Sequence, residues 1–377
     1  AAIVGVAESD CGIVPDKTPL ELIAQATKRA LDDAGLAKKD IDGLFCAGIS
    51  DLSTLEVGEY LRMQPRITDS TNTGGASFEM HVQHAAAAIA AGLCHTALIC
   101  YGNTGFSDRK RGLPLATLGD SRSAINQFDV IFGSSLISEY ALAAQRHMYQ
   151  YGTTSRQLAE IAVATRKWAA MNPLAMMRDP ITIEDVLNSP MVSTPLHLLD
   201  CCLITDAGGA IIVASADRAR DLKNPPVWIL GCGESHSHFT VANMPDLTST
   251  PARQSGQTAF EMAGLSPKDI DVAQLYDSFT ITVLLQLEDL GFCRKGEGGS
   301  FVTGQTTAPG GTFPLNTSGG GLSFTHSKMF GIFLLIEAVR QLRGTCGDRQ
   351  VPGARIALCN GIGVMLSSSS TVILGRD

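Results

Sequence analysis

The sequence is poor in charged and in aromatic side chains. Only 18% of its 377 residues are charged and 6% are aromatic, whereas 45% are hydrophobic. This composition excludes a disordered chain, because disordered chains are highly charged and too polar to bury a core. The net charge of −8 at pH 7 argues against nucleic acid as a ligand, since phosphate binding needs a basic face.

Paired cysteines and long apolar runs are also missing. The ten cysteines are scattered, and only Cys201 and Cys202 are close together, so we expect core thiols rather than a zinc site. No basic start of a signal peptide is seen, and the longest apolar run, residues 85–100, is broken by Gly92 and His95. We therefore expect a cytoplasmic protein with reduced thiols and no membrane span.

An internal repeat is the most informative feature that is present. The tripeptides Ala-Gly-Leu at 34–36 and Asp-Ile-Asp at 40–42 recur at 263–265 and 269–271 with the same spacing. A glycine-rich turn, an apolar helix and an apolar strand then follow in both halves. Two pseudo-repeated halves, residues 1–220 and 221–377, are predicted.

The alternation of helices with continuous apolar strands predicts the fold class. Such strands belong to sheets covered on both faces, which is an α/β architecture. Two halves of this kind packed together would form five layers (α/β/α/β/α). Residues 104–195 have no counterpart in the second half and read as an inserted loop domain that shapes a binding site.

The repeat, the order of the glycine-rich turns and three motifs carry a family resemblance. The motifs are STPLHLLDCCLITDAGGAIIV, DVAQLYDSFTI and NTSGGGLSFTHSKMFG, at 193–213, 271–281 and 316–331. Together they resemble the thiolase superfamily, in particular its sterol-carrier-protein or lipid-transfer branch, over essentially the whole chain. The resemblance implies a homodimer with acyl-coenzyme A thioesters as substrates and no other cofactor on this chain.

The first family motif departs from the expected pattern. Active thiolases carry a nucleophilic cysteine at the start of a buried helix, and this position falls on Gly75. Glycine cannot form an acyl-enzyme, and it is expected to leave open space above the helix. Ser77 and Thr73 are neighbouring hydroxyls, but without a nucleophile elbow we expect Ser77 to cap or pack the helix start.

The second motif carries a tyrosine in place of the family's histidine or asparagine. It reads Tyr276-Asp277-Ser278-Phe279. Tyr276 is predicted to act as a general base or acid, provided that its pKa, ordinarily about 10, is lowered by His326 or a nearby dipole. Asp277 is expected to face away, because adjacent strand residues point to opposite sides.

The remaining motifs keep two polar side chains. His326 matches the histidine that stabilises the thioester oxyanion, and Phe324 precedes it by two positions. Cys359 matches the cysteine that shuttles the α-proton in condensing members. The predicted catalytic residues are therefore Tyr276, His326 and Cys359.

A further group of residues is predicted to bind substrate around the glycine-rich turn. Asn316 and the glycines after it would allow close backbone approach, or would serve only helix packing. The predicted substrate-binding residues are Gly75, Asp277, Asn316, Gly320 and Phe324.

Condensation and thiolysis transfer an acyl group to an enzyme nucleophile, so they are implausible without one. Retro-aldol cleavage transfers no acyl group to the enzyme. It needs a base for a β-hydroxyl proton and a site for the enolate. The hypothesis is an aldol lyase that splits a 3-hydroxyacyl-CoA into a ketone or aldehyde and a shorter acyl-CoA. The resemblance extends this to steroid side chains and to a small partner protein with an OB fold and a zinc ribbon, giving a heterotetramer.

Two other functions stay open at this point. A non-catalytic subunit that binds acyl-CoA would also lose the nucleophile, although it has no reason to bury polar groups at a cost. A decarboxylase, or another thiolase-type enzyme with a non-cysteine site, would use oxyanion stabilisation alone.

Several polar residues have simpler interpretations. His236 and His238 share one strand face but lack a third metal ligand, so no metal is predicted. His81 and His84 lie one helical turn apart and are expected to pack at a contact. The basic run at 109–111 either meets coenzyme A phosphates or forms a solvated loop.

Overall fold

The structure is a computed structural model and describes residues 1–111, 127, 133 and 135–377. Its strands are Ala2–Glu8 (β1), Gly43–Cys46 (β2), Ile67–Asp69 (β3), Thr96–Thr104 (β4), Met191–Ser193 (β5), Leu196–His197 (β6), Asp206–Ala214 (β7), Val227–His236 (β8), Val272–Leu275 (β9), Ile356–Gly363 (β10) and Ser368–Gly375 (β11). Its α-helices are Pro19–Ala34 (α1), Ser53–Leu61 (α2), Ser77–Ala90 (α3), Gly105–Lys110 (α4), Leu136–Tyr151 (α5), Ser155–Ala170 (α6), Ile183–Asn188 (α7), Ala216–Arg220 (α8), Ala252–Ala263 (α9), Thr280–Asp289 (α10), Gly298–Val302 (α11) and Gly331–Arg343 (α12).

The sheet shows the predicted repeat directly. In the first half the strand order is β2-β4-β7-β1, and in the second it is β9-β10-β11-β8. In each half the first pair is parallel and the next two pairs are antiparallel. A short antiparallel pairing of β1 with β8 joins the halves into one nine-stranded sheet, with β3 as the extra edge strand.

The repeat extends to single residues. Gly35 and Gly264 end α1 and α9 in the left-handed conformation that glycine adopts without steric cost. Asp42 accepts a hydrogen bond of 2.8 Å from the amide of Thr96 at the start of β4, and Asp271 accepts one of 2.9 Å from Ile356 at the start of β10. The second aspartate of each Asp-Ile-Asp motif thus anchors the start of a strand, β4 in the first half and β10 in the second.

The packing of the helices confirms the five-layer architecture. α1 covers the outer face of the first half, on β1, β4 and β7, and α9 covers the outer face of the second, on β8 and β11. α3 and α12 lie between the halves and contact strands of both. The functional turns are therefore carried on the two central helices, deep in the core.

Between the repeated elements the chain adds α5, α6 and α7, which belong to the predicted insertion. α5 and α6 pack against α10 of the second half. Residues 112–126, 128–132 and 134, which also fall within the predicted insertion, lie outside the described residues. The junction predicted near residue 220 lies between α8 and β8.

Candidate active site

The turn at residues 74–76 leads directly into α3 and carries the position of the missing nucleophile. Gly75 is buried there. Ser77 is fully buried, and its hydroxyl donates to the carbonyl of Gly74 (2.7 Å) and accepts from the amide of Thr73 (2.9 Å). The serine therefore holds the turn closed, as predicted, and both of its hydrogen bonds are to backbone.

The space above Gly75 is filled, contrary to expectation. A Cβ atom on Gly75 would lie 2.3 Å from Cε2 and 2.5 Å from Cζ of Tyr276, and 2.4 Å from the carbonyl oxygen of Ile362. Real Cβ atoms almost never come this close, so a side chain at position 75 would need both the Tyr276 ring and the backbone carbonyl of Ile362 to shift. The tyrosine occupies the volume that a nucleophile at position 75 would need.

Tyr276 follows β9, and its hydroxyl is held by two groups. The amide of Phe330, at the start of α12, donates to the hydroxyl over 3.1 Å, and the Nε2 atom of His326 lies 3.0 Å away. The condition set for Tyr276 as a base, a lowered pKa, is not met. Burial raises the pKa of Tyr276 well above its ordinary value, and the hydrogen bond from Phe330 opposes this shift only in part.

His326 is a neutral base at ordinary pH. Its ring is buried, and desolvation lowers its pKa to about 4 because burial disfavours the imidazolium. A neutral imidazole has one nitrogen with a free lone pair, which can accept the proton of a hydroxyl. Both pKa shifts favour the uncharged forms, so at ordinary pH the pair is a neutral phenol in hydrogen-bond contact with a neutral imidazole.

Backbone and hydroxyl contacts fix the loop that carries His326. The amide of His326 donates to the hydroxyl of Thr205 (2.9 Å), which also contacts the hydroxyl of Thr325 (2.6 Å). On the next residues, the hydroxyl of Tyr101 donates to the carbonyl of Ser327. The imidazole is thus oriented from both sides of its backbone.

Asp277 faces away from Tyr276, as predicted, and acts on the glycine-rich turn. Its carboxylate accepts from the amides of Gly321 (2.7 Å) and Leu322 (3.2 Å). A Cβ on Gly320 would lie 2.0 Å from this carboxylate, so only glycine allows the approach. Burial raises the pKa of Asp277 to about 7 despite these hydrogen bonds.

The other residues predicted to bind substrate also build this turn. Asn316 accepts from the amide of Leu275 (2.7 Å) at the end of β9, and Phe324 is buried against Phe333 of α12. Among the predicted binding residues only Gly75 lines the cavity described below. Asp277, Asn316, Gly320 and Phe324 lie in or beside the glycine-rich turn, and their role in substrate binding stays a prediction.

Cys359 lies deeper than expected. It is fully buried on β10, does not line the cavity, and its thiol contacts the carbonyl of Leu334 on α12 at 3.6 Å. Burial raises the pKa of this thiol well above its usual range, and the nearby Glu79 adds to the shift. Cys359 thus lies outside the cavity of this structure, and its role as a proton shuttle stays a prediction.

Glu79 is a buried carboxyl that the sequence reasoning missed. It lies on α3 one turn after Gly75, is fully buried, and neither of its oxygens has a hydrogen-bond partner within the described residues. A Cβ at Gly331 or Gly361 would come within 2.5 Å of it. Burial raises the pKa of Glu79 to about 8, so it is neutral at pH 7. A carboxylate within the apolar pattern of this helix was the available signal.

A cavity of about 460 Å³ opens above the tyrosine and histidine. Its floor is formed by Gly75, Tyr276 and His326, and most of its walls are apolar. The insertion contributes one wall. The apolar and aromatic lining residues are Leu136, Ile137, Tyr140, Leu203, Ile204, Phe279, Met329, Ile362 and Val364, and Lys328 is the basic residue at the rim.

The remaining polar candidates have local partners. His84 lies between Asp69 (2.5 Å) and Glu234 (3.3 Å), and His81 contacts the carbonyl of Thr71. His238 contacts the carbonyl of Met365. In the part of the chain that the structure describes, no group of three or more potential ligands is placed to hold a metal.

The basic run and the apolar helices give two further findings. Arg111 binds the carbonyl of Pro15, and Lys110 lies over the ring of Phe106, so the run packs at the surface. Among the described helices, none is both long and apolar enough to cross a membrane.

The chain is similar to several known proteins over its whole length. Residues 233–376 match the family described as "Thiolase C-terminal domain-like". The chain is 36% identical to the 17-hydroxy-3-oxo-4-pregnene-20-carboxyl-CoA lyase of Mycobacterium tuberculosis, across 100% of this chain and 99% of that protein. It is 35% identical to the steroid side-chain-cleaving aldolase of Thermomonospora curvata, across 100% and 98%. It is also 33% identical to an acetyl-CoA acetyltransferase of Methanothermobacter thermautotrophicus, across 100% and 99%.

Solved structures show the same kinship. The structure named "Ltp2-ChsH2(DUF35) aldolase" superposes with a TM-score of 0.91 at 34% identity, covering 100% of this chain and 97% of that one. Human mitochondrial 3-ketoacyl-CoA thiolase shares the fold, with a TM-score of 0.74 at 16% identity. The chain belongs to the thiolase superfamily. Within it, the aldolase-like relatives place the chain in a branch that resembles steroid side-chain aldolases.

The clash at Gly75 gives the first prediction. Gly75→Ala should lower the free energy of unfolding by about 1–3 kcal/mol, because its Cβ overpacks against Tyr276. In Gly75→Ala/Tyr276→Ala the cost of the alanine should shrink, which urea denaturation of the two single variants and the double variant measures. Gly58→Ala is the matched control, since a Cβ there meets atoms only at 3.6 Å and beyond. Equal tolerance of Gly75→Ala and Gly58→Ala would contradict the clash.

The orphaned carboxyl gives a second prediction. Glu79 has a higher pKa in the folded state than in the unfolded state, so folding is favoured when it is protonated and loses stability as pH rises toward 8. Glu79→Gln removes this loss, and its free energy of unfolding should gain on the wild type by about 1.4 kcal/mol per pH unit between pH 5 and 8. Denaturation curves at several pH values provide the measurement. Parallel pH profiles of the two proteins would show that Glu79 is already ionised when folded.

Proposed function

We propose that this protein is an acyl-CoA aldol lyase that cleaves a 3-hydroxyacyl-CoA into a ketone or aldehyde and a shorter acyl-CoA. The observation that carries the proposal is the exchange at Gly75, where the ring of Tyr276 fills the volume of a nucleophile. Acyl transfer through position 75 is thereby lost, while a proton-transfer pair is gained 3.0 Å apart. The two relatives named as a lyase and an aldolase support this direction.

The chemistry begins at the β-hydroxyl of the substrate. Tyr276 accepts its proton as the phenol proton passes to Nε2 of His326, so the phenolate need not exist free. This relay suits the buried environment, because a buried tyrosine with a raised pKa is a poor base alone. The Cα–Cβ bond then breaks, the β-carbon becomes a carbonyl, and the electron pair forms the thioester enolate.

Return of the proton completes the balance. The imidazolium of His326 stabilises the enolate oxygen, and the proton held by the pair goes to the α-carbon. The site ends as it began, with a neutral histidine and a neutral phenol. Cys359 is not required in this scheme, which agrees with its burial away from the cavity.

The cavity suits an apolar acyl group. Its walls are mainly aliphatic and aromatic, and a volume of about 460 Å³ exceeds that of a short acyl chain. A steroid side-chain thioester is the substrate class that we propose, in line with the names of two relatives. The basic run at 109–111 follows Gly105, which lines the cavity, and is the proposed contact for coenzyme A phosphates.

We further propose that the protein forms a homodimer in the cytoplasm and works with a small partner carrying an OB fold and a zinc ribbon. The structure named as an Ltp2-ChsH2(DUF35) aldolase supports such an assembly. Assays should therefore be run with and without a partner of this type.

The central experiment compares Tyr276→Phe and His326→Gln with the wild type. Both variants should reduce kcat by about 10²- to 10⁴-fold, the usual contribution of a proton-transfer residue, while the binding of acyl-CoA is largely kept. Liquid chromatography of the carbonyl and acyl-CoA products measures this, with the exposed Tyr149→Phe as control. Tight acyl-CoA binding without turnover, with partner present and several substrates tried, would instead indicate a non-catalytic binding subunit.

The pH profile tests the role of His326. Because its pKa is about 4, the neutral base persists as pH falls, and kcat/KM should stay level from about pH 8 to pH 5 and decline only near pH 4. Steady-state rates in overlapping buffers, corrected for unfolding, give the profile. A decline centred at pH 6 to 7 would mean that another group is the essential base.

A further inference from the structure

Two cavity-lining residues adopt a backbone conformation that side chains disfavour. Val364 has φ of 53° and Lys328 has φ of 65°, and both line the cavity. Valine is the more unusual of the two, because its branched Cβ clashes with its own backbone in the left-handed region. Strain of this kind persists only where the surroundings enforce it, and it gathers at functional sites.

The surroundings of Val364 do enforce it. The residue begins the turn 364–367 that joins β10 to β11, and the carbonyl of Gly363 accepts from the amide of Ser367 (3.1 Å). The hydroxyl of Tyr140 donates to the carbonyl of Val364 (2.7 Å). His238 binds the next carbonyl, that of Met365 (2.9 Å). Tyr140 of the inserted segment and His238, two residues after the end of β8, thus hold the turn in place.

The position of the side chain explains what the strain achieves. Val364 is 41% exposed and lies at the rim of the apolar cavity, as do the exposed Leu136 and Ile204, and Ile362 two residues before it also lines the cavity. Its backbone also packs on the nucleophile turn, since a Cβ at Gly74 would lie 3.0 Å from the amide nitrogen of Val364. A glycine, which this turn would favour, would leave the rim wider.

We propose that Val364 is a specificity-determining residue whose strained conformation places an isopropyl group at the rim and limits the size of the group on the β-carbon. This inference rests on the proposed function for the site. A branched side chain lowers stability at this position. In return it forms part of the cavity wall, which a glycine without strain would leave open. Tyr140, which ties the insertion to the turn, sets the position of that wall.

The test separates strain from selectivity. Val364→Gly and Val364→Asn both relieve the backbone, because glycine and asparagine tolerate the left-handed region, and Tm should rise by about 1–3 °C for a chain of this size. Only Val364→Gly removes the wall fully. Arg62→Gly is the matched control, since Arg62 also has a left-handed φ of 55° but ends α2 and does not line the cavity.

Selectivity is measured with two substrates, 3-hydroxybutanoyl-CoA and 3-cyclohexyl-3-hydroxypropanoyl-CoA. In Val364→Gly the ratio of kcat/KM for the large over the small substrate should rise at least about tenfold, the effect of a few methyl-sized groups in an apolar site. Arg62→Gly should leave the ratio unchanged. An unchanged ratio in Val364→Gly would overturn the proposal, even if Tm rises.

A binding measurement distinguishes failure of this inference from failure of the lyase function. Butanoyl-CoA and 3-cyclohexylpropanoyl-CoA lack the β-hydroxyl and cannot undergo retro-aldol cleavage, so calorimetric Kd values report fit alone. If wild type cleaves neither hydroxy substrate but Val364→Gly tightens binding of the large analogue selectively, the wall stands and the lyase proposal fails. If cleavage occurs but Val364→Gly changes neither the kcat/KM ratio of the two substrates nor the Kd ratio of the two analogues, the role of Val364 is refuted and the lyase proposal stands.

Discussion

The contact between Gly75 and Tyr276 is the constraint on which the site depends. A side chain at position 75 and a tyrosine ring at position 276 cannot occupy the same volume, because a Cβ on Gly75 would penetrate the ring at 2.3 Å. A nucleophilic side chain at position 75 and a phenol ring in this position are therefore mutually exclusive. This chain has glycine at position 75 and the phenol at position 276, with His326 in hydrogen-bond contact, which is the pair that we propose transfers the proton.

The rest of the core serves to hold that pair. Burial keeps His326 neutral and Tyr276 protonated, and Asp277 locks the glycine turn that carries the histidine. Burial of each of these polar groups costs desolvation free energy, and their hydrogen bonds offset part of that cost. Glu79 is the exception, since its carboxyl is buried beneath the site with no hydrogen-bond partner among the described residues.

The sequence predicted the fold well because the fold is repeated. A motif such as Asp-Ile-Asp recurs with its hydrogen bonds, so two weak local signals reinforce each other. Gly75, Tyr276 and His326 were also found from motifs, since they lie at turns with distinctive residues. That Asp277, Phe324 and Cys359 do not line the cavity was not predicted, because a sequence pattern gives position along a chain but not which residues reach a cavity. The lowered pKa on which a basic role of Tyr276 depended is not found, since desolvation depends on burial in three dimensions, which the sequence does not give. Val364 was missed because backbone strain leaves no mark in composition.

The claim that cleavage needs no acyl-enzyme can be measured directly. Intact-protein mass spectrometry during turnover of a 3-hydroxyacyl-CoA, in buffer without free coenzyme A, follows the protein and both products together. We expect an unmodified protein mass while the carbonyl product and the shorter acyl-CoA accumulate in equal amounts. An added acyl mass on the protein, or cleavage that requires free coenzyme A, would contradict it.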